Sequence, residues 1–119
     1  MKSKNYKDLI VWQKSIQLVG LVYELTNQFP KEEIYGLTSQ MRRAAISIPS
    51  NIAEGSKRRT QKDFGRFLTM SYGSGSELGT QLEISRTLPF GAKLDYSKID
   101  SLLTEIMKML YTLIKRVGD

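Results

Sequence analysis

The chain has no cysteine and no histidine among its 119 residues. Without cysteine there can be no disulfide framework, thiolate nucleophile or thiolate metal site. Without histidine, the usual proton carrier near neutral pH and the commonest metal ligand are both missing. Proline is scarce, with Pro30, Pro49 and Pro89 the only three. Long apolar runs are also missing, and nothing approaches the roughly eighteen consecutive apolar residues that a membrane helix needs. Lys2, Lys4 and Lys7 precede the apolar run Leu9 to Trp12. That run stops at Gln13 and Lys14, too soon for the h-region of a signal peptide. These absences predict a single soluble domain spanning 1–119, cytoplasmic, with no membrane contact, metal or cofactor.

What is present is positive charge, with 18 Lys and Arg against 12 Asp and Glu and a net of +6. The segment Arg42 to Arg66 holds seven of those cations (Arg42, Arg43, Lys57, Arg58, Arg59, Lys62 and Arg66) against Glu54 and Asp63. Basicity concentrated in this way points to an anionic partner, whereas diffuse basicity would be only a solubility feature.

Hydrophobic spacing predicts four helices. In the first, about 8–28, Leu9, Trp12, Ile16, Val19 and Tyr23 form one stripe, and Val11, Leu18, Val22, Leu25 and Phe29 form a second beside it. A bundle core needs a stripe of only about 100°. The extra width suggests that one flank of this helix meets another subunit. The second helix, about 35–55, carries Leu37, Met41, Ala44, Ala45, Ile48 and Ile52. Pro49 interrupts it, yet Ile48 and Ile52 stay in phase with Met41 and Ala45, which predicts one kinked helix capped by Gly55. Thr60 is placed to cap the third helix, about 61–88.

The middle of that third helix, Tyr72-Gly-Ser-Gly-Ser-Glu77, has the composition of a loop. Phe64, Leu68, Ser71, Gly75, Leu78, Leu82 and Ser85 nevertheless keep an unbroken 4-3 spacing. The spacing predicts a long helix with a narrow waist, and a hairpin at the glycines remains the alternative. The fourth helix, about 96–117, repeats Ile99, Leu103, Ile106, Leu110, Leu113 and Val117 as a seam. The fold class is all-α, an up-down-up-down antiparallel four-helix bundle that oligomerises.

Several stretches together resemble a known family. They are Asp8-Leu-Ile-Val-Trp-Gln-Lys14, Phe29-Pro-Lys31, Tyr35-Gly-Leu37 and the long run Gln40-Met-Arg-Arg-Ala-Ala-Ile-Ser-Ile-Pro-Ser-Asn-Ile-Ala-Glu-Gly55. The chain resembles the four-helix-bundle proteins encoded in intervening sequences of bacterial 23S ribosomal RNA genes. The resemblance implies an up-down bundle assembling as a ring-like homopentamer. It also implies kinship with the accessory protein of diversity-generating retroelements, which binds a reverse transcriptase and nucleic acid. Gly75 and Gly79 depart from the family pattern, in which helix 3 often carries larger or charged residues.

For function, Lys57, Arg58, Arg59, Lys62 and Arg66 surround the turn between helices 2 and 3. Such a cluster can follow phosphates with little sequence preference, or it can be an ordinary solvated turn. Arg42 and Arg43 would lie about 24 Å from Arg58 on a straight helix. Arg42 is therefore expected either to pair with a carboxylate (Glu54, Glu77 or Glu83) or to join the nucleic-acid site with Arg43. Trp12, Tyr23 and Phe64 are placed as core or interface in preference to base-stacking platforms. Asn51 and Glu54 are expected to be buried beside the kink, satisfying backbone that Pro49 leaves open. No nucleophile has a base partner, and Gly73 to Gly79 lacks the Lys-Ser/Thr of a phosphate-binding loop. The sequence therefore predicts a non-enzymatic oligomer, a homopentamer as the resemblance implies, that binds structured RNA or other nucleic acid. The alternative is a scaffold that docks an acidic protein partner.

Overall fold

In a computed structural model, residues 5–118 are described; Lys2 and Lys4 lie outside them. The chain folds into α1 (Ile10–Thr26), α2 (Leu37–Ser56), α3 (Gln61–Thr87) and α4 (Ser97–Gly118), with 3-10 turns at Tyr6–Asp8 and Lys31–Glu33. Each helix packs on its two neighbours in the cycle α1–α2–α3–α4, and the body measures 50 × 24 × 20 Å. No strand occurs among the described residues. This is an all-α four-helix bundle.

The starts and stops have local causes. The Asn5 carboxamide oxygen accepts from the Lys7 amide at 2.8 Å and sets the first 3-10 turn. Thr60 caps α3, its hydroxyl accepting from the Asp63 amide at 3.1 Å. Asp95 accepts from the amide and hydroxyl of Ser97, at 2.9 and 2.8 Å, at the start of α4.

The core follows the helical period. Val11, Leu18, Val22 and Leu25 of α1 meet Met41, Ala45, Ile48 and Ile52 of α2 in one cluster. Leu68, Leu78 and Leu82 of α3 and Ile99, Leu103, Ile106 and Leu110 of α4 complete it. Truncating a side chain such as Leu110, which is fully buried, costs on the order of 2–5 kcal/mol. On α1 the second stripe is the core. The Leu9–Tyr23 stripe forms its margin: Leu9, Trp12 and Val19 are partly buried against the core, while Ile16 and Tyr23 are 45% and 38% exposed. Trp12 is half-buried, packed edge-on against Tyr6 with ring centres 5.3 Å apart.

The α3 helix runs through the glycine-serine stretch without a break. Its waist is narrow because neighbours approach closely. Ser71 is buried and donates to the Ile48 carbonyl at 2.8 Å, tying α3 to α2. A Cβ at Gly75 would collide with the Met107 thioether of α4. Near the end of α2, a Cβ at Gly55 would lie 2.6 Å from the Phe67 Cβ. Gly55 is therefore a crossing point inside the helix. It does not have the positive φ of a capping glycine, a correction to the expected cap.

Pro49 is buried within a continuous α2. Asn51 is half-buried and donates to the Ser47 carbonyl at 2.9 Å. The carbonyl that Pro49 leaves without its donor belongs to Ala45, four residues earlier. Glu54 is exposed and pairs with Arg58. The expectation of two buried groups serving the proline thus fails for both residues.

Candidate nucleic-acid interface

An antiparallel bundle of this order brings the start of α1, the end of α2, the start of α3 and the end of α4 to one end. The contacts agree: a Cβ on Gly65 would lie 3.4 Å from Val117 near the C-terminus of α4. The Lys57 ammonium lies 5.6 Å from the Tyr6 ring centre. Lys57, Arg58, Arg59, Lys62 and Arg66 are thereby joined by Lys7, Lys115 and Arg116, three cations that the cluster at 57–66 does not include. With Asp8, Glu54 and Asp63 at the same end, eight cations face three acids among the described residues, a net of +5.

Two of these cations are partly engaged. Arg58 pairs with Glu54 at 2.7 Å, and its guanidinium lies 4.6 Å from the Phe67 ring centre. Arg66 is 3.6 Å from Asp63. Both pairs are exposed, so each contributes well under about 1 kcal/mol and readily exchanges its carboxylate for a phosphate. Arg59, Lys62 and Arg116 are exposed and form no ion pair among the described residues. Two helix N-termini and two C-termini share this end, so the helix dipoles largely cancel there. Side chains supply the field.

Arg42 and Arg43 are not part of this end. The Nε of Arg42 donates to the Thr26 hydroxyl at 2.9 Å, and one terminal nitrogen donates to the Asn27 carboxamide oxygen at 3.1 Å. Its guanidinium also lies 4.3 Å from the Tyr23 ring centre. It therefore fastens α2 to the last turn of α1, where a cation also meets the negative end of the helix dipole. The partners are neutral, so the expected pairing with Glu54, Glu77 or Glu83 does not occur. Arg43 is exposed on the same stretch of α2, one helical step away.

Two of the surface grooves carry aromatic side chains. One, about 340 Å³, lies between α1 and α2 and is lined by Tyr6, Trp12, Ile16, Val19, Ile46 and Pro49 among others. The other, about 780 Å³, lies between α3 and α4 and includes Tyr72, Met107, Lys108 and Tyr111. Phe64 is half-buried against Gly55 and packs on the core. Tyr111, 55% exposed, was absent from the aromatics singled out in the sequence, because its place in the α4 pattern marks only a flank. The described residues contain no group of three or more acidic side chains, cysteines or histidines that could hold a metal ion. No described helix is long and apolar enough to cross a membrane.

These features define a helical bundle with one cationic end. The sequence matches the family of 23S rRNA-intervening sequence proteins over residues 7–112, and the chain belongs to that family. No curated protein matches it.

Proposed function

We propose that this protein is a non-enzymatic, cytoplasmic, nucleic-acid-binding oligomer that grips the phosphates of structured RNA with its cationic end. The observation that carries the reading is the meeting of cations from all four helix termini at one end, with few acids among them. Exposed, loosely paired cations neutralise phosphates without reading bases, giving affinity with little sequence preference. The half-exposed groove between α1 and α2, with Trp12, Ile16 and Ile46, supports self-association. Five copies is the number that the family resemblance implies.

The test is fluorescence anisotropy of a labelled RNA hairpin titrated at several salt concentrations, with the oligomer mass measured by light scattering. About five phosphate contacts give a log–log salt slope near −4.5 and a loss of several hundred-fold between about 50 and 200 mM salt. Arg58→Glu/Arg59→Glu and, separately, Lys115→Glu/Arg116→Glu are expected to make that slope shallower, while Arg43→Glu leaves it unchanged. The expected mass is five times that of the 13.6 kDa chain. Weak binding that neither double variant alters would overturn the reading and turn attention to an acidic protein partner.

A further inference from the structure

We infer that the groove between α3 and α4 takes an unpaired nucleotide of the bound RNA, its base stacked on Tyr111 and its phosphates beside Lys108 and Lys115. This rests on the proposed function, because Lys115, a cation of that end, also borders Tyr111 in the groove. Tyr111 is one helical turn, about 6 Å, before Lys115. The Lys115 ammonium lies 5.5 Å from its ring centre, so a cation already borders the aromatic face.

The groove runs where Gly75, Ser76 and Gly79 of α3 face Leu103, Thr104 and Met107 of α4. Met107 fills the place that a side chain at Gly75 would take, and a Cβ at Gly79 would lie 3.8 Å from Leu103. The space, about 780 Å³, falls within the range of small-molecule sites. Tyr72 and Tyr111 form one wall, ring centres 6.4 Å apart and planes inclined at 45°. Tyr72 is half-buried and braces Tyr111, which stays 55% exposed and free to stack. Ser76, Thr104 and Thr112 bring hydroxyls to the lining, able to donate to or accept from a base edge. No carboxylate lines it, and Lys108 does.

Comparison with the α1–α2 groove decides the occupant. That groove is apolar and aromatic with no charged side chain in its lining, which suits the surface of a second copy. The α3–α4 groove combines an exposed tyrosine, hydroxyls and cations, the set that single-stranded nucleic acid requires. A base stacked on an aromatic ring also needs no sequence match, in keeping with phosphate-led binding at the neighbouring end.

The experiment compares one RNA hairpin, blunt or with a short single-stranded 3′ extension, by anisotropy at fixed salt. The proteins are wild type, Tyr111→Ala, Tyr111→Phe and Arg58→Glu/Arg59→Glu. The extension is expected to tighten wild-type binding by about tenfold, the scale of one base–aromatic stack. Tyr111→Ala should erase that gain and leave blunt-hairpin affinity unchanged, and Tyr111→Phe should keep it. Arg58→Glu/Arg59→Glu should weaken both RNAs alike. An extension without effect on wild type, or a gain that survives Tyr111→Ala, overturns the groove assignment and leaves the cationic end standing. A changed oligomer mass in Tyr111→Ala also overturns it, because the groove then holds a second copy. Failure of both RNAs to bind in a salt-dependent way removes the underlying reading as well.

Discussion

Arg42 offers the sharpest separation of structure from binding, because the same cation could serve either purpose and the two uses leave different traces. In Arg42→Ala, the Thr26 hydroxyl loses its 2.9 Å donor and the Asn27 carboxamide its 3.1 Å donor. The stacking on Tyr23 disappears too. A hydrogen bond from a charged donor is worth about 1.5–3 kcal/mol net when well buried. The outer bond to Asn27 is exposed and counts for less, and an exposed cation–π contact adds about 0.5–1 kcal/mol. Thr26 also keeps a compensating bond, because its hydroxyl donates to the Val22 carbonyl at 2.8 Å. A total near 2 kcal/mol is therefore expected. For a domain of this size that lowers the melting midpoint by roughly 8 °C.

The assay is thermal unfolding by circular dichroism at one fixed protein concentration, because an oligomer's midpoint depends on concentration. Salt-dependent RNA anisotropy on the same samples supplies the second reading. Arg42→Lys keeps the charge and loses the planar fork, so it should recover less than half of the lost stability. Arg42→Ala should leave the salt slope where it was. An unchanged midpoint combined with a slope reduced as far as in Arg58→Glu/Arg59→Glu would refute the assignment of Arg42 to the α1–α2 junction.

Three further outcomes follow from two glycines and from Asp95. At Gly91 a Cβ would press on the Ser85 carbonyl oxygen and lie 2.8 Å from the Tyr96 hydroxyl, which donates to the Gly91 carbonyl. Gly91→Ala should therefore cost about 3 kcal/mol, seen as a lower urea midpoint. Gly75→Ala meets only the mobile end of Met107 and gains about 1 kcal/mol of helix propensity, so its midpoint should move little or rise. Hydrogen bonds from the backbone and side chain of Ser97 hold the Asp95 carboxyl below the usual carboxylate range. Its folded pKa lies below the unfolded one, so its contribution is complete above the unfolded value of about 4 and is lost as pH falls through the folded value. The difference in urea midpoint between wild type and Asp95→Ala should hold steady above about pH 4 and close below it.

The helices were legible because burial imposes a period that composition cannot mask. Residues 72–77 have loop composition, yet Ser71, Gly75 and Leu78 are all buried in register. At Gly75 the glycine penalty is offset by the close approach of Met107 from α4, whereas Gly73 faces open space. Which stripe of α1 becomes core was not legible, since both are apolar. The choice depends on where α2 and α4 lie, and that is a tertiary fact. Gly55 was misread for a related reason. A glycine near a helix end suits a cap equally well, and only the approach of Phe67 distinguishes a crossing from a cap. Arg42 was sought among carboxylates because opposite charge is the pairing that a sequence advertises. A hydroxyl, a carboxamide and a ring carry no such mark.

The cationic end shows the same limit from the other side. Lys57 to Arg66 could be read directly, being contiguous. Lys7, Lys115 and Arg116 are remote in sequence and join the cluster only in the folded bundle, since up-down order places the termini of α1 and α4 beside the α2–α3 turn. Among the described residues the opposite end holds Glu24, Glu32, Glu33, Glu83, Asp95 and Asp100 against Lys31, Arg42, Arg43, Arg86, Lys93 and Lys98, a net of zero. One of those cations is fully occupied: Arg86 pairs with Glu83 at 2.7 Å and with Asp100, and lies over Tyr96. The bundle is therefore electrically polar along its 50 Å axis, far longer than the screening length of about 8 Å at physiological salt. Over that distance the balanced charges of the opposite end do little to alter the field at the positive one. An approaching polyanion meets the positive end as a separate field, so the modest net charge of +6 understates the attraction available there.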